Sequence, residues 1–384
     1  MTDAMTLRKR LLSIDALRGL VILFMLLDHV RETFLLHRQV SDPMSIDSTE
    51  PALFFSRTLA HLCAPVFVLL TGLSAWLYGQ KYQGRRDVSA FLFKRGLFLV
   101  VLEFTLVNFA WTFQLPPSVF YMQVIWAIGI SMIALAALVW LPRAWLIGLA
   151  LVIIAGHNLL DGLHVAAGSM LHVPWTILHE RNWIEVSENL RLRTTYPVLP
   201  WIGVIALGYG LGPWFADATL PAVRQRYLRV AGVGALVGFG LLRALNGYGE
   251  QPWQVYDSSV LTLMSFFNIT KYPPSLLFLA LTLGIGLLLL LAFERAGHKR
   301  WIGVLAVFGA APMFFYLLHL YVLKILYVAC VALFGLNHGN YFGFDGIGAV
   351  WLAALLLPIA LYLPVRWFAG LKARRRDLAW LKYL

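Results

Sequence analysis

Cysteine and charge are what this chain has least of. Two cysteines, Cys63 and Cys330, stand among 384 residues, and both fall inside long apolar runs. They build no disulfide framework and suit helix packing as small apolar residues. Charged residues make up 13% of the chain against 60% hydrophobic, with a mean hydropathy of +0.74. A soluble chain of this length needs far more polar surface. No C-x-x-C, H-E-x-x-H or similar ligand spacing occurs, so no metal is expected. Internal repeats, low-complexity tracts and a polar stretch long enough for a soluble domain are missing too. A transmembrane β-barrel is excluded, because the apolar stretches run continuously and do not alternate.

What is there is apolar helix. Runs of about 18 or more apolar residues, each enough to span a bilayer, recur along nearly the whole chain. They predict about ten spans, near 13–34, 53–79, 89–112, 118–140, 142–159, 197–215, 225–245, 273–293, 309–334 and 346–368. The stretch 300–335 has room for a short re-entrant segment ahead of the ninth span. The first span carries charges and lacks a small-residue cleavage site, so it reads as a retained helix. The expected fold is an all-α polytopic transmembrane helical bundle, a single domain over 1–384. Basic residues cluster at 8–10, 81–95, 143, 224–229, 295–300 and 366–382, while the alternate loops hold far fewer. That imbalance places both termini in the cytoplasm. It also accounts for the net charge of +12 through anionic membrane lipids, without nucleic acid. A homodimer stays open, since lipid-facing and subunit-facing apolar surfaces look alike in sequence.

Ionisable groups inside apolar helices are costly and mark function by default. The first span opens with Asp15 and Arg18 and closes with Asp28 and His29. With the N-terminus inside, Asp28, His29, His61, Glu103, Asn108, Gln123, His157, Asn158 and Asp161 all fall in the outer half of the membrane. Arg18 and His29 are eleven residues apart, about 1100° of helical turn, so they share a face with roughly 16 Å of rise between them. Each group also has a plainer reading. Asp15 and Arg18 fit a structural ion pair at i, i+3. Asp28 and His29 fit a helix cap, His61 a satisfied core histidine, and His157 and Asn158 ordinary interfacial residues. His319 and Lys324 fit snorkelling or a bond to a neighbour.

The opening RLLSIDALRGLVILFMLLDHVRE, followed by LAHLCAPVFVLLTG, resembles the heparan-alpha-glucosaminide N-acetyltransferase catalytic-domain family in its bacterial branch. The segments QVIWAIGISMIALAAL, AGHNLLDG, YPVLPWIGVIALGYGLG, NITKYPPSLLFLALTLG and PMFFYLLHLYVL resemble the same branch. The resemblance implies transmembrane acyl transfer, with acetyl-CoA as co-substrate from the cytoplasmic side and a glucosamine-type amine as acceptor on the other. It also implies a catalytic histidine near the outer end of the first span. This chain departs from the family pattern there. Asp28 stands where the best-known relative has asparagine, His29 follows directly, and His37 occupies the later region. The catalytic histidine is therefore open among His29, His61 and His37.

Chemistry ranks His29 first, because an amine nucleophile needs a base that titrates near the operating pH. Asp28 and His61 are its expected orienting partners, although adjacent helical residues point about 100° apart. Arg18, Lys94 and Arg95, near the inner helix ends, suit CoA phosphates, since guanidinium groups bind phosphate oxygens in pairs. Glu103, Asn108, His157, Asn158, Lys271 and Tyr272 are the candidates for binding the glycan or amino-sugar acceptor; a packing turn set by Pro273 and Pro274 also accounts for the last two. The expectation is a multi-pass inner-membrane acyltransferase. Acylation of a glycan hydroxyl stands as one alternative and a secondary transporter as another.

Overall fold

The computed structural model describes residues 2–81, 84–375 and 377–382, with the side chains of 2–11, 379 and 382 left out. The basic side chains at 8–10 and Lys382, and the whole of Arg376, thus lie outside the described residues. The chain is mostly helical: α1 (Thr2–Phe34), α2 (Pro51–Ala60), α3 (Cys63–Gly79), α4 (Arg85–Leu102), α5 (Asn108–Thr112), α6 (Val124–Leu138), α7 (Arg143–Gly156), α8 (His172–Leu178) and α9 (Leu199–Gly210). These are followed by α10 (Pro221–Leu245), α11 (Ser259–Phe267), α12 (Leu276–Arg295), α13 (Arg300–Ala310), α14 (Pro312–Phe334) and α15 (Ile347–Arg374).

Among the described residues, six stretches are long and apolar enough to cross a membrane: Pro51–Gly79, Arg143–Leu160, Pro221–Leu245, Leu276–Arg295, Pro312–Phe334 and Ile347–Arg374. Each falls on one of the ten expected spans. Shorter apolar helices, Val124–Leu138 and Leu199–Phe215, cover two more. The remaining two, 13–34 and 89–112, fall on α1, where charges interrupt the hydropathy, and on a helix broken in the middle. The short segment expected before the ninth span is α13.

Sheet is the departure from an all-helical reading. A three-stranded sheet of order β1-β3-β2 is built from β1 (Val119–Met122), β2 (Trp183–Ser187) and β3 (Leu190–Thr194). β1 pairs parallel to β3, and β2 antiparallel to β3. The expected fourth span therefore begins six residues late, at Val124. Val119, Phe120 and Tyr121 are β-branched or aromatic and favour extended backbone, and β3 supplies the ladder that 118–123 needs.

The chain packs into two compact units. One comprises residues 1–63, 253–268 and 289–384; the other comprises 64–252 and 269–288. In the first, α1 is the central helix and lies against α13, α14, α15 and α2. The α1–α13 crossing is backbone on backbone. A methyl group added at Gly19 would meet the Leu305 carbonyl oxygen at 1.8 Å, and one at Gly309 would meet the Asp15 carbonyl oxygen at 1.8 Å. Small residues that allow such approach are the usual means of packing helices in lipid, where apolar burial gives no preference for a neighbouring helix. The glycine of the S-I-D-x-x-R-G opening is thereby explained as a packing residue. The second unit repeats the device between α3 and α9, where Gly72 faces the Ile205 carbonyl oxygen and Gly208 that of Leu69.

Candidate functional site

The polar residues of the first unit gather on α1 and the helices around it. α1 is continuous from residue 2 to 34, so Arg18 and His29 share one face, separated by about 16 Å of rise. Arg18 donates to Asp15 at 2.9 Å, the expected i, i+3 pair, which sits midway along α1 because the helix begins at Thr2. Further along, Arg31, 2% exposed, donates through Nε to Asp28 at 2.8 Å and through an Nη group to Glu32 at 3.1 Å. Arg57 and Asp42 form a second buried ion pair at 3.8 Å. Buried charges persist only when paired and hydrogen-bonded. A shallow crevice lined by Leu27, Asp28, Arg31, Ser56, Arg57, Ile347 and Val350 has no room for a water molecule, so it is not a ligand cavity.

His29 faces α14. Its Nδ1 lies 2.7 Å from Nε2 of His319, the rings stack at 5.0 Å between centroids, and Tyr316 meets the His29 ring edge-on at 6.0 Å. His319 is fully buried, which rules out snorkelling, and its Nδ1 lies 2.7 Å from the Phe315 carbonyl. Those two contacts assign the protons. A carbonyl only accepts, so His319 carries its proton on Nδ1 and presents a lone pair at Nε2. His29 then donates from Nδ1 and holds its own lone pair on Nε2. Asp28 and His61 are the partners expected for His29; in the structure His29 meets His319, and Asp28 accepts from Arg31. His61 is buried at a two-residue turn between α2 and α3, inside the apolar span Pro51–Gly79 that runs on through it. His37 stacks on His338 at 3.7 Å in the loop after α1.

The second unit holds the remaining candidates. Lys94 is exposed on α4, and Arg95 lies over the Phe91 ring at 5.9 Å. Glu103 opens a π-helical turn, Glu103–Val107, that separates α4 from α5. It is fully buried; Oε2 accepts from the Trp126 amide at 2.8 Å, and Oε1 has no hydrogen-bond partner among the described residues. π-turns of this kind are frequent at functional sites. The Asn108 amide is taken up by β1, accepting from the Tyr121 N–H at 3.2 Å and donating to the Val119 carbonyl at 3.3 Å. Asn158 accepts from the Leu276 amide and donates to Asp161, each at 2.8 Å. Lys271 is buried, with Nζ 5.0 Å from the Tyr272 ring centre and 5.9 Å from that of Tyr196. The turn around Pro273 and Pro274 is held by Glu250, whose carboxylate accepts from the Thr270 amide (2.6 Å), Thr270 Oγ1 (2.7 Å) and Ser275 Oγ (2.6 Å).

Sequence reading did not connect His157 with His179. His157 ends α7, Asp161 follows one turn on, and His179 caps α8; one ligand atom from each lies within 4.8 Å of the others. The i, i+4 spacing of His157 and Asp161 was the available signal, but the third member is 18 residues further on.

A family model described as "Heparan-alpha-glucosaminide N-acetyltransferase, catalytic" matches residues 10–242, more than half of the chain. The chain belongs to that family. The match to the heparan-alpha-glucosaminide N-acetyltransferase family takes in α1 with Arg18, Asp28 and His29, and it reaches His61, Glu103 and His157. It ends before the Glu250-held turn and before α14, so His319 and the T-K-Y-P-P-S-L segment lie beyond it. No curated protein matches the chain. Family membership and the apolar helices together make this a membrane protein of an acetyltransferase family.

Proposed function

We propose that the protein transfers an acetyl group from acetyl-CoA, bound from the cytoplasmic side, to the amine of an amino sugar or glycan at the outer face of the cell's inner membrane, with both termini in the cytoplasm. The hydrogen-bonded file from the Phe315 carbonyl through His319 to His29 carries this reading. It fixes the tautomer of His29 so that Nε2 is the proton acceptor, the task an orienting group performs for any histidine base. The acceptor nitrogen attacks the thioester carbonyl, the C–N bond forms, and the C–S bond breaks. The proton lost by nitrogen passes to His29 Nε2 and from there to the departing CoA thiolate. Arg18, about 16 Å along the same helix face, suits the CoA phosphates, with the pantetheine arm running toward His29.

The test is thioester consumption. Purified protein in nanodiscs is given acetyl-CoA with a panel of amino sugars, and free CoA is followed for the wild type, His29→Ala and His319→Gln. Release that requires an acceptor and falls by about 10²–10⁴-fold in His29→Ala supports the assignment. Release unchanged by that substitution moves the base elsewhere, and no release or CoA binding across the panel overturns the acyltransferase reading.

A further inference from the structure

We propose that His157, Asp161 and His179 form a binding site for one divalent transition-metal ion of the zinc type, separate from the acyl-transfer residues of α1. Nδ1 of His157 lies 3.3 Å from Nε2 of His179, and Nε2 of His179 lies 3.7 Å from Oδ1 of Asp161. A tetrahedral ion with ligands at about 2.0–2.1 Å has ligand-to-ligand edges of about 3.3 Å. Two edges of that triangle are thus near this length, and all three ligand atoms lie within 4.8 Å of one another, so an ion closes the triangle by drawing them together. Both rings are buried, while the Asp161 side chain is 49% exposed. The site is thus walled on the histidine side and open on the carboxylate side, leaving a fourth position for water, as in three-ligand zinc sites.

Asp161 and His179 are each held by a neighbour. Asn158 donates to Oδ2 of Asp161 at 2.8 Å, which leaves Oδ1 turned toward His179. Trp175 stacks on the His179 ring at 5.2 Å, and its indole N–H donates to the Leu163 carbonyl at 3.0 Å, tying α8 to the loop after Asp161. The Nε2 atom of His157 is buried and has no hydrogen-bond partner among the described residues. The His179 Nε2–H now points at the His157 carbonyl, 3.0 Å away. Metal binding moves that proton to Nδ1 of His179 and turns the Nε2 lone pair to the ion. Magnesium and calcium prefer all-oxygen shells, so the two imidazoles select zinc, cobalt, nickel or copper.

The experiment uses the full chain in nanodiscs, purified without a histidine tag and stripped with EDTA, titrated with CoCl₂ and then ZnCl₂. One equivalent of Co²⁺ with the visible absorption of a four-coordinate N/O site, displaced by Zn²⁺, is the expected result. That absorption is lost in His179→Ala, unchanged in His164→Ala, and in Asp161→Asn shifted to at least about tenfold higher cobalt concentration. Asp161→Asn changes an exposed group and serves where a histidine variant fails to fold. No stoichiometric uptake by the wild type, or uptake unaltered by Asp161→Asn and His179→Ala, overturns the proposal. The readout does not involve acetyl-CoA, so it stands or falls apart from the acyltransferase reading.

Discussion

Single residues on α1 divide into those that hold the helix and those that offer chemistry. Asp28 neutralises the buried Arg31, and Asp28→Ala removes that carboxylate while the partly exposed Glu32 stays beside the guanidinium. The expected cost is about 3 kcal/mol, that of removing one member of a buried pair, read as a lowered melting temperature in detergent; Asp28→Asn loses less. Arg18 is engaged with Asp15 but remains partly exposed at the middle of α1, and Arg18→Ala is expected to raise KM for acetyl-CoA with little change in kcat. An unchanged KM counts against Arg18 as a phosphate ligand. His37 bears on pH. Burial, then the stacked His338, then Arg38 lower its affinity for a proton below the ordinary 6.5, with Asp345 opposing them. The folded loop therefore binds fewer protons than the unfolded chain between that lowered value and 6.5, and stability rises with pH through this window. Its contribution is complete above 6.5 and is lost as the pH falls. Hydrogen exchange in segments 36–39 and 335–345 is expected to quicken on acidification, and less so in His338→Phe.

At the scale of elements, the informative places are those where a regular helix stops. Hydropathy reads 53–79 and 89–112 as unbroken helices, because periodicity carries no mark of a two-residue turn or a π-helical insertion. The breaks fall at His61 and at Glu103, both fully buried. What stabilises them, such as the Trp126 amide on Glu103, comes from 23 residues away. The α1–α13 crossing makes its own prediction. Gly309→Val would drive a side chain into the Asp15 backbone and is expected to abolish the folded state, while Gly303→Ala, on the same helix with open space around it, is expected to be tolerated. Size-exclusion profiles of the two variants check this, and a folded Gly309→Val would show the crossing to be looser than drawn.

For the whole molecule, membrane character and helical class were legible from hydropathy, and the family from the opening motif, which the family match over 10–242 includes. Orientation makes the remaining prediction. The scarcity of cysteine permits labelling, and Gly168→Cys is expected to react with an impermeant thiol reagent in intact cells, whereas His298→Cys reacts only after permeabilisation. The reverse pattern would invert the topology and the sidedness of the proposed reaction. By itself the sequence determined that the chain is apolar helix suited to lipid, where its charges interrupt that helix, and that Arg18 and His29 share a face. Those properties depend on composition and on the 3.6-residue turn, both local. Only the tertiary structure decided that His29 meets His319, 290 residues away, that Glu250 holds the Thr270–Ser275 turn, and that His157 and Asp161 meet His179. Such pairings depend on which helix faces pack together, and one apolar helix looks much like another to a sequence-based reading.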